Sequence, residues 1–402
     1  MEPLSRGRHV VVTLIIALLS MIGPFTIDTI FPAFDLIGHD VTASTTQMQQ
    51  VVSLYMVSFA VMSLVHGPLS DAIGRKPVMV VGLLAYVAAS VLCALAPNLG
   101  LLLLGRALQG ASAGAGQILS RTMIRDLYAG PAAQRMMAQV SMIFSVAPAV
   151  APVVGGWLLG AGSWRLIFWG LAGLGAVLAA AVAFGLPETR PGERTSFELR
   201  GVLSSLRRVL SDVPFLKLAG ASMFGFATQF IYIVSAPIIM LTLLHQGEQD
   251  FWKLFVPMVA GMMLGSLVSS RLSGRVPPER LASGVYVTLL VLSAVNVAIA
   301  STGAGARLPL ALIAPPFIGL AWAVAFPVMQ LQMLDRFPEN RGAAASGQSF
   351  TMLLFNAALS GIIAPLVAVS MQGIAITSAA LALLGSLCWF SYRRGAVRRA
   401  RT

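Results

Sequence analysis

Apolar runs long enough to cross a bilayer recur from one end of this chain to the other, and that repetition leaves few folds open to it. A helix of about 20 apolar residues spans the roughly 30 Å of membrane hydrocarbon. Such runs fall near residues 10–35, 47–69, 76–97, 99–124, 134–161 and 164–186, and again near 214–244, 251–272, 281–302, 308–334, 342–369 and 372–392. Hydrophobic residues make up 57% of the chain and charged residues 10%, which is too little charge to cover a water-facing surface. The reading is an all-α integral membrane protein with twelve transmembrane helices. Disordered, collagen-like and disulfide-stapled classes are excluded.

The chain carries 27 Lys plus Arg against 15 Asp plus Glu, a formal charge of +12. In a soluble protein that excess would point to nucleic acid, whereas in a membrane protein Lys and Arg collect in cytoplasmic loops. Their positions decide the matter. With an even number of spans both ends lie on one side, and both are basic: Arg6 and Arg8 at the start, and Arg393, Arg394, Arg398, Arg399 and Arg401 at the end. Taking that side as inside, only Arg165, Lys253 and Arg307 fall outside, and only Arg106 is left within a span. Both termini therefore read as cytoplasmic, and no nucleic-acid partner is expected. The apolar stretch after Arg6 and Arg8 runs on past Pro24 to Phe34 with no small-residue cleavage site, so it reads as an uncleaved first helix and not a signal peptide. Cys93 near the outer end of span 3 and Cys388 near the inner end of span 12 are too far apart for a disulfide.

One long polar segment, from Pro187, Glu188, Thr189 and Arg190 to the basic pair Arg207 and Arg208, divides the spans six and six. The expected organisation is an N-terminal six-helix bundle over 1–186, a cytoplasmic linker over 187–213, and a C-terminal six-helix bundle with a basic tail over 214–402. Two pseudo-symmetric bundles with a substrate site between them is a common transporter plan. A weak repeat supports it, since Gly74-Arg75 after span 2 matches Gly274-Arg275 after span 8, with Arg271 standing where the first copy has Asp71.

The loop Gly67-Pro68-Leu69-Ser70-Asp71-Ala72-Ile73-Gly74-Arg75-Lys76 resembles G-x-L-x-D-x-x-G-R-K, the signature between helices 2 and 3 of the major facilitator superfamily. Three further stretches resemble its drug:proton antiporters, and among them the Bcr/CflA drug-resistance branch of bicyclomycin and amphenicol exporters. Ile27-Asp28-Thr29-Ile30-Phe31-Pro32-Ala33 is similar to D-M-Y-L-P-A in span 1. Arg106-Ala107-Leu108-Gln109-Gly110 is similar to R-x-x-Q-G in span 4. Ala147-Pro148 through Pro152 to Gly155-Gly156 looks like the antiporter motif of span 5, with Ala147 and Ala151 where glycines are usual. The resemblance implies a twelve-helix major facilitator fold in a bacterial inner membrane.

Asp28 is the acidic residue most clearly within a span, and a buried carboxylate is by default a functional site. Counted from Phe34 it lies roughly 9 Å deep, and Arg106, counted from Asn98, roughly 12 Å. The two are expected to form the proton-coupling pair, Asp28 alternating between protonated and charged forms; the alternative is a static ion pair holding span 1 to span 4. Gly67, Asp71, Gly74, Arg75 and Lys76 read as a cytoplasmic gate, with Asp71 receiving free backbone N–H groups or a cation of the other half in one conformation. For Arg75 and Lys76, positive-inside anchoring is the plainer role. Pro148, Pro152, Gly155 and Gly156 would kink span 5 and admit close helix contact, or make an ordinary proline kink. Phe25, Phe31, Tyr55, Gln109, Gln229, Tyr232, Trp322, Phe326, Met329, Met352 and Asn356 are candidate walls and polar anchors of a drug pocket, though each could equally pack helices or face lipid. His9, His39, His66 and His245 have neither metal-ligand spacing nor a catalytic partner.

With no Walker loop, H-E-x-x-H or G-x-S-x-G in the sequence, ATP-driven transport and hydrolase readings lack support. No enzyme activity, metal or cofactor is expected. The reading is a proton-coupled multidrug exporter of small apolar or weakly charged compounds, acting as a monomer in the lipid bilayer with protons as the second substrate. The alternatives are a sugar, amino-acid or siderophore porter of the same fold, and a membrane receptor that moves no solute.

Overall fold

The computed structural model describes residues 6–128, 130–189, 199–272, 275–337 and 341–399. Gly274, linker residues 190–198 and Arg401 lie outside them. Two compact units divide between Leu199 and Arg200, within the polar segment, and no strand occurs among the described residues.

In the first unit the long helices are α1 (Arg6–Asp28), α3 (Thr45–Ile73), α4 (Arg75–Ala94), α5 (Leu99–Leu127), α6 (Gly130–Gly160) and α7 (Arg165–Gly185), with a short α2 (Phe34–Asp40). The second begins with α8 (Leu199–Leu210) and continues with α9 (Val213–Val234), α10 (Trp252–Leu272), α11 (Pro278–Ala300), α12 (Ala314–Asp335), α13 (Arg341–Ala358), a short α14 (Ala364–Val367) and α15 (Met371–Arg399). Among the described residues ten spans are long and apolar enough to cross a membrane by length and composition. The two long helices outside that set are α5 and α6. Arg106, Gln109 and a run of glycine and serine dilute the apolar character of α5, and Val146–Gly160 of α6 is a shorter apolar stretch. The fold is thus the twelve-helix major facilitator fold, with six long helices in each unit.

Local chemistry fixes where helices start. Ser44 and Gln47 form a reciprocal capping box before α3, Asn98 Oδ1 accepts the Leu101 N–H at 3.0 Å before α5, and Asp212 Oδ1 accepts the Phe215 N–H at 2.7 Å before α9; each supplies a partner for an otherwise orphan N–H. Between α3 and α4 there is a single residue, Gly74, at φ +111°, a backbone setting that a side chain would resist. The first span is longer than the sequence suggested. After Asp28 a 3-10 turn (Phe31–Ala33) at Pro32 and then α2 carry it to Asp40, so Asp28 lies deeper than a count from Phe34 implied. Asp40 anchors that end, accepting from Trp164 Nε1 at 2.8 Å and Arg165 Nη1 at 3.1 Å. The spans expected over 214–244 and 342–369 are also interrupted, by π-helical segments Ile238–Leu243 after Pro237 and Leu359–Ile363 before Pro365. Proline removes an N–H from the helical ladder.

The two units pack alike. In the first, α5 lies on α3, α4 and α1, α4 on α7, and α1 on α6 and α7; in the second, α12 lies on α10, α11 and α9, α11 on α15, and α9 on α13 and α15. Taken in order, each of these pairings has its counterpart in the other unit. Tyr86 of α4 and Tyr286 of α11 occupy matching places: a Cβ at Gly175 of α7 would lie 2.8 Å from the first ring, and one at Gly385 of α15 would lie 3.2 Å from the second. The repeat suggested by Gly74-Arg75 therefore extends through the packing. Large apolar side chains such as Phe184, 91% exposed, point outward, as a lipid-facing surface requires.

Helix α6 continues through both Pro148 and Pro152. Gly155 lets it approach α1 until backbone meets backbone, since a Cβ there would collide with the Thr29 carbonyl. Gly155→Leu is expected to destabilise the purified protein by at least about 1–3 kcal/mol, the usual cost of overpacking, read as a lowered Tm in detergent with no change for Gly173→Leu, where nothing lies within 4 Å.

Candidate functional site

The first unit buries a cation. Arg106 of α5 is 0% exposed, a costly location for a charge unless every face is engaged. Its Nε donates to the Val51 carbonyl of α3 at 3.0 Å, and Nη1 donates to the Thr26 carbonyl of α1 at 3.4 Å and to Gln109 Oε1 at 2.8 Å. The guanidinium lies 4.5 Å from the centre of the Tyr55 ring, a cation–π contact, and Nη2 has no partner.

From Gln109 the polar contacts continue into α4. Gln109 Nε2 donates to Ser90 Oγ at 2.7 Å, and Ser90 Oγ donates to the Tyr86 carbonyl at 2.7 Å. The hydroxyls of Tyr86 and Thr26 are 2.6 Å apart. Because Thr26 Oγ1 gives its proton to the Ile22 carbonyl at 2.6 Å, Tyr86 is the donor between them. Asp28, 3% exposed, ends α1 two residues past Thr26. No ion pair within 4.0 Å joins Asp28 to Arg106 among the described residues; main-chain carbonyls and Gln109 hold the guanidinium instead. Of the candidates, Asp28, Arg106, Tyr55 and Gln109 thus fall in one region, with Thr26, Tyr86 and Ser90 added. Phe31, fully buried, packs edge-on to Phe34 at 5.9 Å, and Phe25 is half-buried.

Where α3 meets α4, Arg75 is the centre of a second network. Nη1 pairs with Asp71 Oδ1 at 2.5 Å and contacts Ser70 Oγ at 2.5 Å, while Nε donates to Asp126 Oδ2 at 3.2 Å. Thr189 Oγ1 donates to the same Asp126 oxygen at 3.1 Å. Asp71 is thus occupied within its own unit. The free N–H groups that begin α4 are received by Glu188: Arg75 N at 2.9 Å and Lys76 N at 3.2 Å, a carboxylate on the positive end of a helix. A Cβ at Gly74 would meet that carboxylate 2.8 Å away, whereas one at Gly67 would meet nothing. Glu188, Asp126 and Thr189 were not singled out from sequence; Pro187-Glu188-Thr189 read there only as the start of a linker.

In the second unit an aromatic ring fills part of the contact between α9 and α12. Where α9 crosses α12, the counterpart of the α1–α5 crossing, Trp322 lies directly on Gly225, with Phe326 6.0 Å beyond it. Gln229 is fully buried against Gly319, its Nε2 3.0 Å from Met262 Sδ and its Oε1 without a partner. Tyr232 turns toward α11 and bonds Asn296, so its hydroxyl is used inside the unit. Asn356 Oδ1 is buried and has no partner; Met329 is buried and Met352 half-buried. Below these, Arg336 clasps Asp212 with two hydrogen bonds, Nη2 to Oδ2 at 2.6 Å, and that carboxylate raises the guanidinium's pKa. Among the described residues no cluster of His, Cys, Asp or Glu suits a metal ion.

Long apolar helices in two like-packed units, with an arginine buried in the first, define a multi-pass membrane protein. The Major Facilitator Superfamily family model matches residues 14–365, and the chain belongs to that superfamily. Among curated relatives it is 28% identical to the Bacillus subtilis uncharacterized MFS-type transporter YdgK over 94% of both chains. It is 27% identical to the Haemophilus influenzae bicyclomycin resistance protein homolog over 66% of this chain and 67% of that one, and 31% identical to Escherichia coli multidrug resistance protein D over 47% and 48%. Among solved structures, the fold matches a bacterial homolog of the human lysosomal transporter Spinster with TM-score 0.71 at 16% identity, covering 98% of each chain.

Glu188→Ala leaves two α4 N–H groups without their carboxylate. The expected outcome is a loss of about 0.5–2 kcal/mol, measured as a lowered Tm in detergent, with Glu188→Gln losing less because its amide oxygen still accepts.

Proposed function

We propose that this transporter is a proton-coupled exporter of small apolar or weakly charged antibiotics, working by alternating access in a bacterial inner membrane with both termini cytoplasmic. The observation that carries the reading is the buried polar network through Arg106, Gln109, Ser90, Tyr86 and Thr26, with Asp28 at the end of the same α1 segment. A carboxyl group within a span is a functional-site candidate by default, and one that gains and loses a proton as access to water changes sides can carry it across. Arg106 is held by carbonyls whichever state Asp28 adopts, and its unpartnered Nη2 is a donor available to an ionised carboxylate. Drug and proton then compete for one state of the protein, which couples their opposite movements. The names of the bicyclomycin and multidrug resistance relatives support drugs as the substrate class.

The driving force suffices. One proton crossing 100 mV releases about 2.3 kcal/mol, and a tenfold gradient costs about 1.4 kcal/mol, so one proton sustains a gradient of roughly 40-fold for a neutral drug. A monovalent cation exchanged for one proton forgoes the electrical part, which favours neutral or weakly charged compounds for a chain with one clearly buried carboxylate in α1.

Acidified inside-out vesicles provide the test, with amphenicols, bicyclomycin, sulfonamides and lipophilic cations added in turn. One compound class is expected to release protons from wild type, and Asp28→Asn is expected to reduce that release to roughly a tenth or less. Proton movement with the substrate would instead identify a symporter, and silence toward the whole panel from folded protein would sink the drug reading.

A further inference from the structure

A second buried titratable group stands between the Arg106 network and the cytoplasmic network of Arg75, and the proposed function leaves it unused. His66 of α3 is 4% exposed, and its Nδ1 has no hydrogen-bond partner. It lies over Gly114 of α5, where a Cβ would come within 3.1 Å of Nδ1 and 2.8 Å of the Phe59 ring. One helical turn further along α5, Gln117 reaches across Gly23 of α1, and its Oε1 is also buried without a partner. Phe59 borders both places, 3.8 Å from the Cβ position at Gly23. Two glycines on two helices thus make room for an imidazole and a carboxamide around one ring.

The placement is intermediate along both helices. His66 is eleven residues past Tyr55 and five before Asp71, about 16 Å and 7 Å of helix rise. Gln117 is eleven residues past Arg106 and nine before Asp126. A neutral imidazole carries one N–H and one acceptor nitrogen, and its cation carries two N–H donors. Nδ1 has no donor to occupy it, and Gln117 Oε1 is an acceptor with nothing to accept. The pair is better satisfied once a proton has arrived.

We propose that His66 is the inward-side proton carrier of the first unit, with Gln117 as the acceptor that stabilises its cation. The proton leaves the Asp28 carboxyl group, crosses by way of water, forms an N–H bond at Nδ1, and later passes to cytoplasmic water; no electrons are exchanged. The charged and titratable groups on α3 and the helices around it include Asp28 of α1, Asp35, His39 and Asp40 of α2, Tyr55 and Asp71 of α3 itself, Arg75, Lys76, Tyr86 and Cys93 of α4, and Arg106, Arg121 and Asp126 of α5. None is bonded to Nδ1. This inference rests on the proton-coupled reading above.

The test uses purified protein in liposomes with pyranine inside and chloramphenicol as the transported probe. Two rates are compared for wild type and His66→Gln: proton-coupled transport against a chloramphenicol gradient, and chloramphenicol counterflow with no pH difference. The expected result is a loss of roughly tenfold or more in the coupled rate, counterflow within about twofold of wild type, and loss of the imidazole-dependent part of the pH profile. A variant that couples at the wild-type rate with the wild-type pH profile overturns the role of His66 and leaves proton coupling standing. Wild type that exchanges chloramphenicol and moves no protons overturns both, and so does wild type that moves neither. Should His66→Gln not be recovered folded, Gln117→Leu carries the same two measurements, with the same loss expected and an unchanged coupled rate and profile overturning the proposal.

Discussion

The guanidinium of Arg106 sets the terms for the first unit. An arginine has five N–H donors in a rigid fork and no means of shedding its charge, so burying one obliges the surroundings to supply acceptors. Within a membrane helix almost every carbonyl is already engaged by the helix itself, and what remains is the second lone pair of each. Val51 of α3 and Thr26 of α1 lend theirs, and Tyr55 presents the face of its ring. Three helices must therefore meet at one depth and in one register. Gln109 satisfies the guanidinium on one side and reaches α4 on the other, so a fourth helix is drawn into the same arrangement.

The second unit keeps the packing and changes the chemistry. Tyr86 and Tyr286 sit at matching positions, yet the first finds the Thr26 hydroxyl, whereas the second has a buried hydroxyl with no partner. Between the corresponding helices the first unit places a cation near the end of α1, and the second packs Trp322 on Gly225 midway along α9. A shared scaffold thus carries a polar specialisation in one copy and an aromatic one in the other. Glycines and tyrosines that fix helix distances recur in both, while the groups able to hold charge at the crossing do not.

The spans were legible in the sequence because they depend on composition averaged over about 20 residues. Arg75 and Arg106 stood out because charge is rare in such runs, and Asp71 and Gly74 because they fall in a loop that matches a known signature. Glu188, Asp126, Thr26 and Tyr86 were not, since their roles come from contacts between helices far apart in sequence: Glu188 reaches Arg75 across 113 residues and Tyr86 reaches Thr26 across 60. The end of the first span was misjudged for a related reason. Pro32 reads as a stop, but the chain passes it in a 3-10 turn and resumes as helix to Asp40. The expected pairing of Asp28 with Arg106 rested on depth alone, and depth does not report which carbonyls reach the guanidinium first.

Gly74 has a mechanical consequence. A peptide joint of one residue offers only two soft dihedrals, so α3 and α4 have almost no slack between them, and Glu188 holds the α4 side of that joint from the end of α7. Any tilt of α3 reaches α4 within one residue and is resisted by a carboxylate fixed to a third helix. The three helices behave as a crank with a stiff bearing, in which a small rotation at the Gly74 end becomes a displacement of Tyr55 and Tyr86 near the buried arginine.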